Sequence, residues 1–318
     1  MSEGEMTTED ALVALQDFRA LCCVACRVTE VSRQLSVPRG RRKVARAYFH
    51  FMCSITDALS ALTVADPLAA KTPGGFPRLP HLALLTRQLL EAYAWLRFYA
   101  FDANSDEEYS FRHLIANIAA HTDYLRHMHQ QKAERVKFEP PQWRSGPEGR
   151  RISAAMGRKQ QFIRALRQEL RSHAFLKRLC PECKRYWTKT TKGFWPARDS
   201  VLRAAGMGSH LRVAEYDYLS AHTHASPSAV MAALMPASSA LAEHTTFFHL
   251  WAGVMALTLK EVLTVLPSCA RTLDQSQKDG MNQCAEHYRQ FIAGSATTKA
   301  GAEPAASSTC PTCWLRPA

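Results

Sequence analysis

Three observations predict an all-α protein, a multi-helix bundle. Apolar residues recur three and four apart through successive long segments, the mark of one buried helix face. No alternation of apolar and polar residues runs longer than about four positions, so half-buried strands are not expected. Pro and Gly cluster between the periodic segments, where they punctuate helices. The chain has 318 residues, 47% of them hydrophobic and 21% charged, which excludes disordered and fibrous classes.

The elements follow in order. Thr7 or Thr8, with Glu9 and Asp10 behind it, caps a first helix. That helix is carried by Leu12, Leu15, Leu21, Ala25, Val28, Val31 and Leu35. Pro38 and Gly40 interrupt, and a second helix spans residues 42–62. A Pro- and Gly-rich loop, Pro67 to Pro80, precedes a third from His81 to Phe101. Ser105-Asp106-Glu107-Glu108 is a capping box that opens a fourth, reaching Gln131. After Pro140-Pro141 and Gly146-Pro147 comes a basic helix, residues 149–179, then an irregular stretch with Cys180, Pro181, Gly193 and Pro196. Further helices cover Leu211 to His224, a segment opening at Ser226-Pro227, Ala240 to Leu266, and Leu273 to Ala293. The most apolar window, Thr245 to Leu266, holds His249, Lys260 and Glu261 and reads as a buried core helix rather than a membrane span. The expected organisation is one helical domain over residues 1–293, with a basic helix and irregular insertion at 144–200. A flexible tail, residues 294–318, follows.

Charge is concentrated rather than spread. Between Arg144 and Lys192 fourteen Lys or Arg face three Glu, so eleven of the twelve excess positive charges lie in one helix and the segment after it. Arg158, Lys159, Arg164, Arg167, Arg171, Lys184 and Arg185 are the expected contacts to a polyanion. Tyr186, Trp187, Phe194 and Trp195 are interleaved with the distal end, as rings that stack on bases. The alternative is a solvated helix face followed by core-plugging aromatics.

Cys180-Pro181-Glu182-Cys183 and Cys310-Pro311-Thr312-Cys313 share a C-P-x-C form that aims two thiolates at one metal. Together Cys180, Cys183, Cys310 and Cys313 make a candidate structural zinc site, with thiols lacking a metal as the alternative. Cys23 and Cys26 have the same spacing but fall within helical text, where they read as core. The acidic amino terminus lacks the pattern of a secretory signal, and the grouped cysteines suit a reducing compartment. A cytoplasmic protein without a membrane partner is expected.

In the third helix Arg87 and Glu91 are spaced i, i+4 on a face with Leu84, Trp95 and Phe98, which suggests that the face points inward. Tyr216, Ser220 and His224 align on another helix, so the two helices could assemble one polar cluster. As an active site, it would use His224 as acid and base and Arg87 to hold an anionic group. As structure, the same residues would form an internal network fixing helix register.

The order R-x3-E in an apolar helix, then Y-x-Y-L-S-x3-H-x-S before another helix, resembles the bacterial family of domain of unknown function 5677. The stretches carrying it are residues 84–99 and 195–231, with Arg87, Glu91, Ser220 and His224 at the corresponding positions. The resemblance implies a bacterial helical protein and no particular activity. Helical ribonucleases of the HEPN group invite an analogy, since Arg167 to His173 and Arg203 to His210 match their Arg-then-His spacing. Chance gives about three such matches in a chain of this composition, and neither carries the Asn, Asp or His that should follow the Arg.

The expected function is therefore interaction with nucleic acid, RNA foremost. Its catalytic version is a metal-independent ribonuclease of defence or toxin type. The alternative is a non-catalytic helical interaction or scaffold protein whose polar cluster is structural.

Overall fold

A computed structural model describes residues 8–36, 40–64, 79–139, 141–189 and 241–296. Among the described residues there is no strand, and helices carry almost all of them. They fall into two compact units: residues up to Asp102 with those from Leu241 onward, and Ala103 to Lys189. The basic insertion expected over residues 144–200 thus belongs to a unit that opens at Ala103. The helix expected over residues 211–224, the one after Ser226-Pro227 and the tail from 297 lie outside the described residues.

In the first unit α1 (Thr8–Gln34) and α2 (Arg41–Val64) run antiparallel. Gly40, at φ +59°, takes the left-handed conformation that a side chain disfavours, and its carbonyl accepts from the Lys43 and Val44 N–H groups of α2. Polar contacts set the register of the pair. Arg19 donates to the Thr63 carbonyl at 3.2 Å, Thr29 to Cys53 at 3.3 Å, and Ser32 meets His50 at 2.7 Å. Arg46 donates to the Ser32 and Leu35 carbonyls, so an arginine from each helix satisfies orphan carbonyls at the end of the other. Cys22 is buried, and desolvation pushes its thiol up to about 12. Cys23 and Cys26, expected in the core, are exposed, because Cys22, Val24 and Ala25 occupy the inward phase of α1.

The third helix, α3 (Leu79–Leu96), ends in a π turn, Arg97–Phe101. That turn places Arg97 between Asp102, 2.8 Å from its Nε, and Glu261, to which Tyr93 also donates at 3.3 Å. Burial raises the pKa of Glu261 against the lowering effect of Arg97.

The most apolar segment of the chain forms the core helix of this unit, packing on α1, α2 and α3. Its apolar window, Thr245–Val265, is 72% buried within the protein. Trp251 is fully buried against Phe18, with ring centroids 5.1 Å apart, and its indole N–H donates to Thr86 at 2.7 Å. That bond satisfies the one polar atom of a large buried ring.

In the second unit α4 (Asp106–Phe138) starts at the expected cap. The Ser105 hydroxyl accepts from the Glu108 N–H at 3.1 Å, while the Glu108 carboxylate accepts from the Asn104 N–H at 3.0 Å. Glu108 also pairs with Arg112, both 2% exposed. The helix runs seven residues past the expected Gln131, since good helix formers continue the turn and Arg135 pairs with Glu148. Phe111, Leu114, Ile115, Ile118 and Ala119 are buried, whereas nothing beyond Ala119 on α4 is.

Across a 3-10 turn, α5 (Pro147–Ser172) returns antiparallel to α4, as Lys132 to Ser153 (2.8 Å) and Lys159 to His121 (3.2 Å) require. The basic helix expected to reach Leu179 breaks at His173. There an extended backbone lets the imidazole Nδ1 accept from the Phe175 N–H and cap α6 (Ala174–Arg178). Phe175 of α6 packs against Phe111 with the rings tilted by 45°, and Pro181 opens α7 (Pro181–Lys189). The core helix described above is α8 (Leu241–Val265), followed by α9 (Pro267–Ala270) and α10 (Gln275–Ala296), which packs on α8.

Candidate nucleic-acid interface

The two polar groups expected in a catalytic cluster sit one turn apart on α3. Arg87 Nε donates to Glu91 Oε1 at 3.0 Å, with the side chains 12% and 24% exposed. Their face points inward only in part, because Phe98 is fully buried while Leu84 is 38% exposed. The other expected members, Tyr216, Ser220 and His224, lie outside the described residues.

Of the four expected zinc ligands, Cys180 and Cys183 are described, and Cys310 and Cys313 are not. Cys183 is fully buried at the start of α7, and its N–H donates to the Cys180 sulfur at 3.4 Å. Among the described residues no three His, Cys, Asp or Glu side chains converge closely enough to hold a metal ion.

Four of the basic residues of α5 fall into two rows. Arg151 and Arg158, seven apart, share one line along the helix; Arg164 and Arg171 share another. Six residues separate Arg158 from Arg164, which at about 100° each turns the second row roughly a third of a circle from the first. Arg167, half-buried, borders the second row, and on α7 Lys184 is half-buried while Arg185 is exposed. Arg178 pairs with Glu107, so not every charge of the basic stretch faces solvent alone. The Tyr186 and Trp187 side chains and residues 194–195 lie outside the described set.

Of the expected contacts Lys159 meets aromatic rings, and Arg158 lines the same groove. His121, Tyr124 and Met128 line one side of an open groove from α4. Ala155, Arg158, Lys159 and Phe162 line the other from α5. These spacings of three, four and seven put each set on one helix face, and Ala120 and Ala155 keep the space between the helices open.

The Lys159 ammonium lies 5.1 Å from the Tyr124 ring centroid and 6.0 Å from that of Phe162. It donates to His121 Nδ1 at 3.2 Å, so the neutral imidazole carries its proton on Nε2. His121 in turn meets the edge or face of Phe162 at 4.9 Å and 77°. Desolvation first, then the Lys159 charge, lowers the pKa of His121. Tyr124 and Phe162 are 55% and 48% exposed, and the groove lining contains no carboxylate. Two half-exposed rings therefore flank a cation that no acidic lining residue neutralises. Such a surface attracts an anion that also offers a flat apolar face.

Sequence reasoning missed His121, Tyr124 and Phe162. The signal for Phe162 was present, since it follows Lys159 and Arg158 by three and four residues on one helix face. His121 and Tyr124 stand in a polar run whose relation to α5 only helix packing creates.

Comparison of the whole chain with known protein families, with curated proteins and with solved structures finds no match.

Proposed function

We propose that this protein binds nucleic acid, RNA foremost, through the groove between α4 and α5. One observation carries the reading: the Lys159 ammonium stands between the half-exposed Tyr124 and Phe162 rings, beside the exposed Arg158. Phosphate contacts supply affinity by releasing counterions, and exposed rings supply surfaces for bases. The concentration of the chain's positive excess between Arg144 and Lys192 supports the same reading, because it draws a polyanion toward this unit. The catalytic version, a metal-independent ribonuclease, adds Arg87 and Glu91 with Tyr216, Ser220 and His224; of these, only the Arg87–Glu91 pair lies within the described residues.

Fluorescence anisotropy of a short labelled RNA with the full chain tests the binding. Its affinity should fall steadily as salt rises from about 50 to about 200 mM. Arg158→Ala and Lys159→Ala should each reduce the slope of log affinity against log salt by about 0.7, the value for one phosphate contact on a single strand. Absence of salt-sensitive binding would point instead to the scaffold reading and overturn this one.

A further inference from the structure

We infer that the groove takes an unpaired strand, and that Lys159 in the ligand-free protein holds the place a base will fill; this rests on the nucleic-acid reading above. Tyr124 and Phe162 come from different helices, and both keep about half their surface open. A duplex hides the flat faces of its bases in the stack, whereas a single strand presents them. Rings standing free beside cations thus match a single strand better than a double helix, for which phosphate contacts alone would suffice.

The Lys159 contacts specify how the exchange occurs. In the free protein its ammonium lies 5.1 and 6.0 Å from the Tyr124 and Phe162 ring centroids and donates to His121 Nδ1. All three are weak holds for a full charge, and no groove-lining carboxylate competes for it. A phosphate oxygen is the stronger partner, being itself charged. As a strand arrives, the ammonium turns out to its phosphate with Arg158 alongside, and the vacated ring face accepts a base. Met128, Ala120 and Ala155 supply the apolar floor. The freed His121 imidazole keeps its Nε2–H as a donor toward the strand. Because every base has such a face, recognition should show little sequence preference.

Binding of a single-stranded RNA and of a hairpin duplex of equal length tests this with the full chain. The single strand should bind at least about tenfold tighter than the duplex. Tyr124→Ala and Phe162→Ala should each weaken single-strand binding about tenfold while leaving duplex binding nearly unchanged. Tyr124→Phe, which keeps the ring, should retain it. A 2-aminopurine placed within the strand should be quenched by the native protein and not by the Tyr124→Ala/Phe162→Ala variant. Both ring side chains are half-exposed, and circular dichroism checks that the variants stay folded. Equal affinity for strand and duplex, or ring variants that bind the strand as well as the native chain, overturns the inference while salt-sensitive binding leaves the nucleic-acid reading standing. Loss of all salt-sensitive binding overturns both.

Discussion

Gly253 lies where α8 meets α10, and replacing it with alanine should loosen that seam. A Cβ at this position would stand 2.3 Å from Cγ of Tyr288 and 2.4 Å from its Cβ and Cδ2. Carbon atoms rest about 3.5–4.0 Å apart, so something must move by more than about 1 Å. Tyr288 is 3% exposed, and its Cβ is bonded directly to the backbone of α10. Rotation of the ring cannot clear that atom; the helix itself has to shift. Overpacking of this kind costs about 3 kcal/mol, at the upper end of its usual range. The better helix propensity of alanine returns about 1 kcal/mol. The net loss is then about 2 kcal/mol, or roughly 4–8 °C in Tm for a unit of this size. Gly280, on α10 of the same unit, has nothing within 4 Å of its would-be Cβ. Gly280→Ala should therefore raise stability by about 1 kcal/mol and serves as the control. Urea and thermal unfolding of the full chain, followed by circular dichroism, measure both. If Gly253→Ala stabilises the protein as Gly280→Ala does, the close approach of α8 and α10 is refuted.

Two further outcomes are expected. Glu108 and Arg112 are each 2% exposed, so Arg112→Met, which strands a buried carboxylate, should cost about 3–5 kcal/mol. Adding Glu108→Gln should restore most of that loss, and a double-mutant cycle by urea unfolding would show failure as simple additivity. His50, His121 and His173 all have pKa values lowered first by desolvation. Their unfolded counterparts take up protons at higher pH, so the unfolded state gains protons first as pH falls below about 6.5, and stability declines there. Glu261, raised by burial, acts in the opposite sense nearer the carboxylate range. Urea midpoints between about pH 7 and pH 5.5 should fall, and His121→Gln should flatten the response of the second unit; an invariant midpoint would refute the assignment.

Local chemistry made several elements legible before any coordinates. The Ser105 cap depends on residues within one turn, as does the Arg87–Glu91 pair, and both occur where their spacing placed them. The core role of α8 followed from composition alone, because a helix apolar on all sides must be covered. Errors arose where two phases or two partners competed. Cys23 and Cys26 share helical text with Cys22, yet only the last occupies the inward phase. The end of α4 moved outward because Arg135 found Glu148 across the turn.

The sequence by itself determined the all-helical class, most helix starts and where the positive charge is concentrated, since each rests on composition or on neighbours a few residues apart. Tertiary structure decided the groove. His121 and Lys159 are 38 positions apart, and only the antiparallel packing of α4 on α5 brings the imidazole, two rings and two cations to one surface. Local propensity sets which residues share a helix face, but the rotation and sliding of one helix against another decide which faces meet.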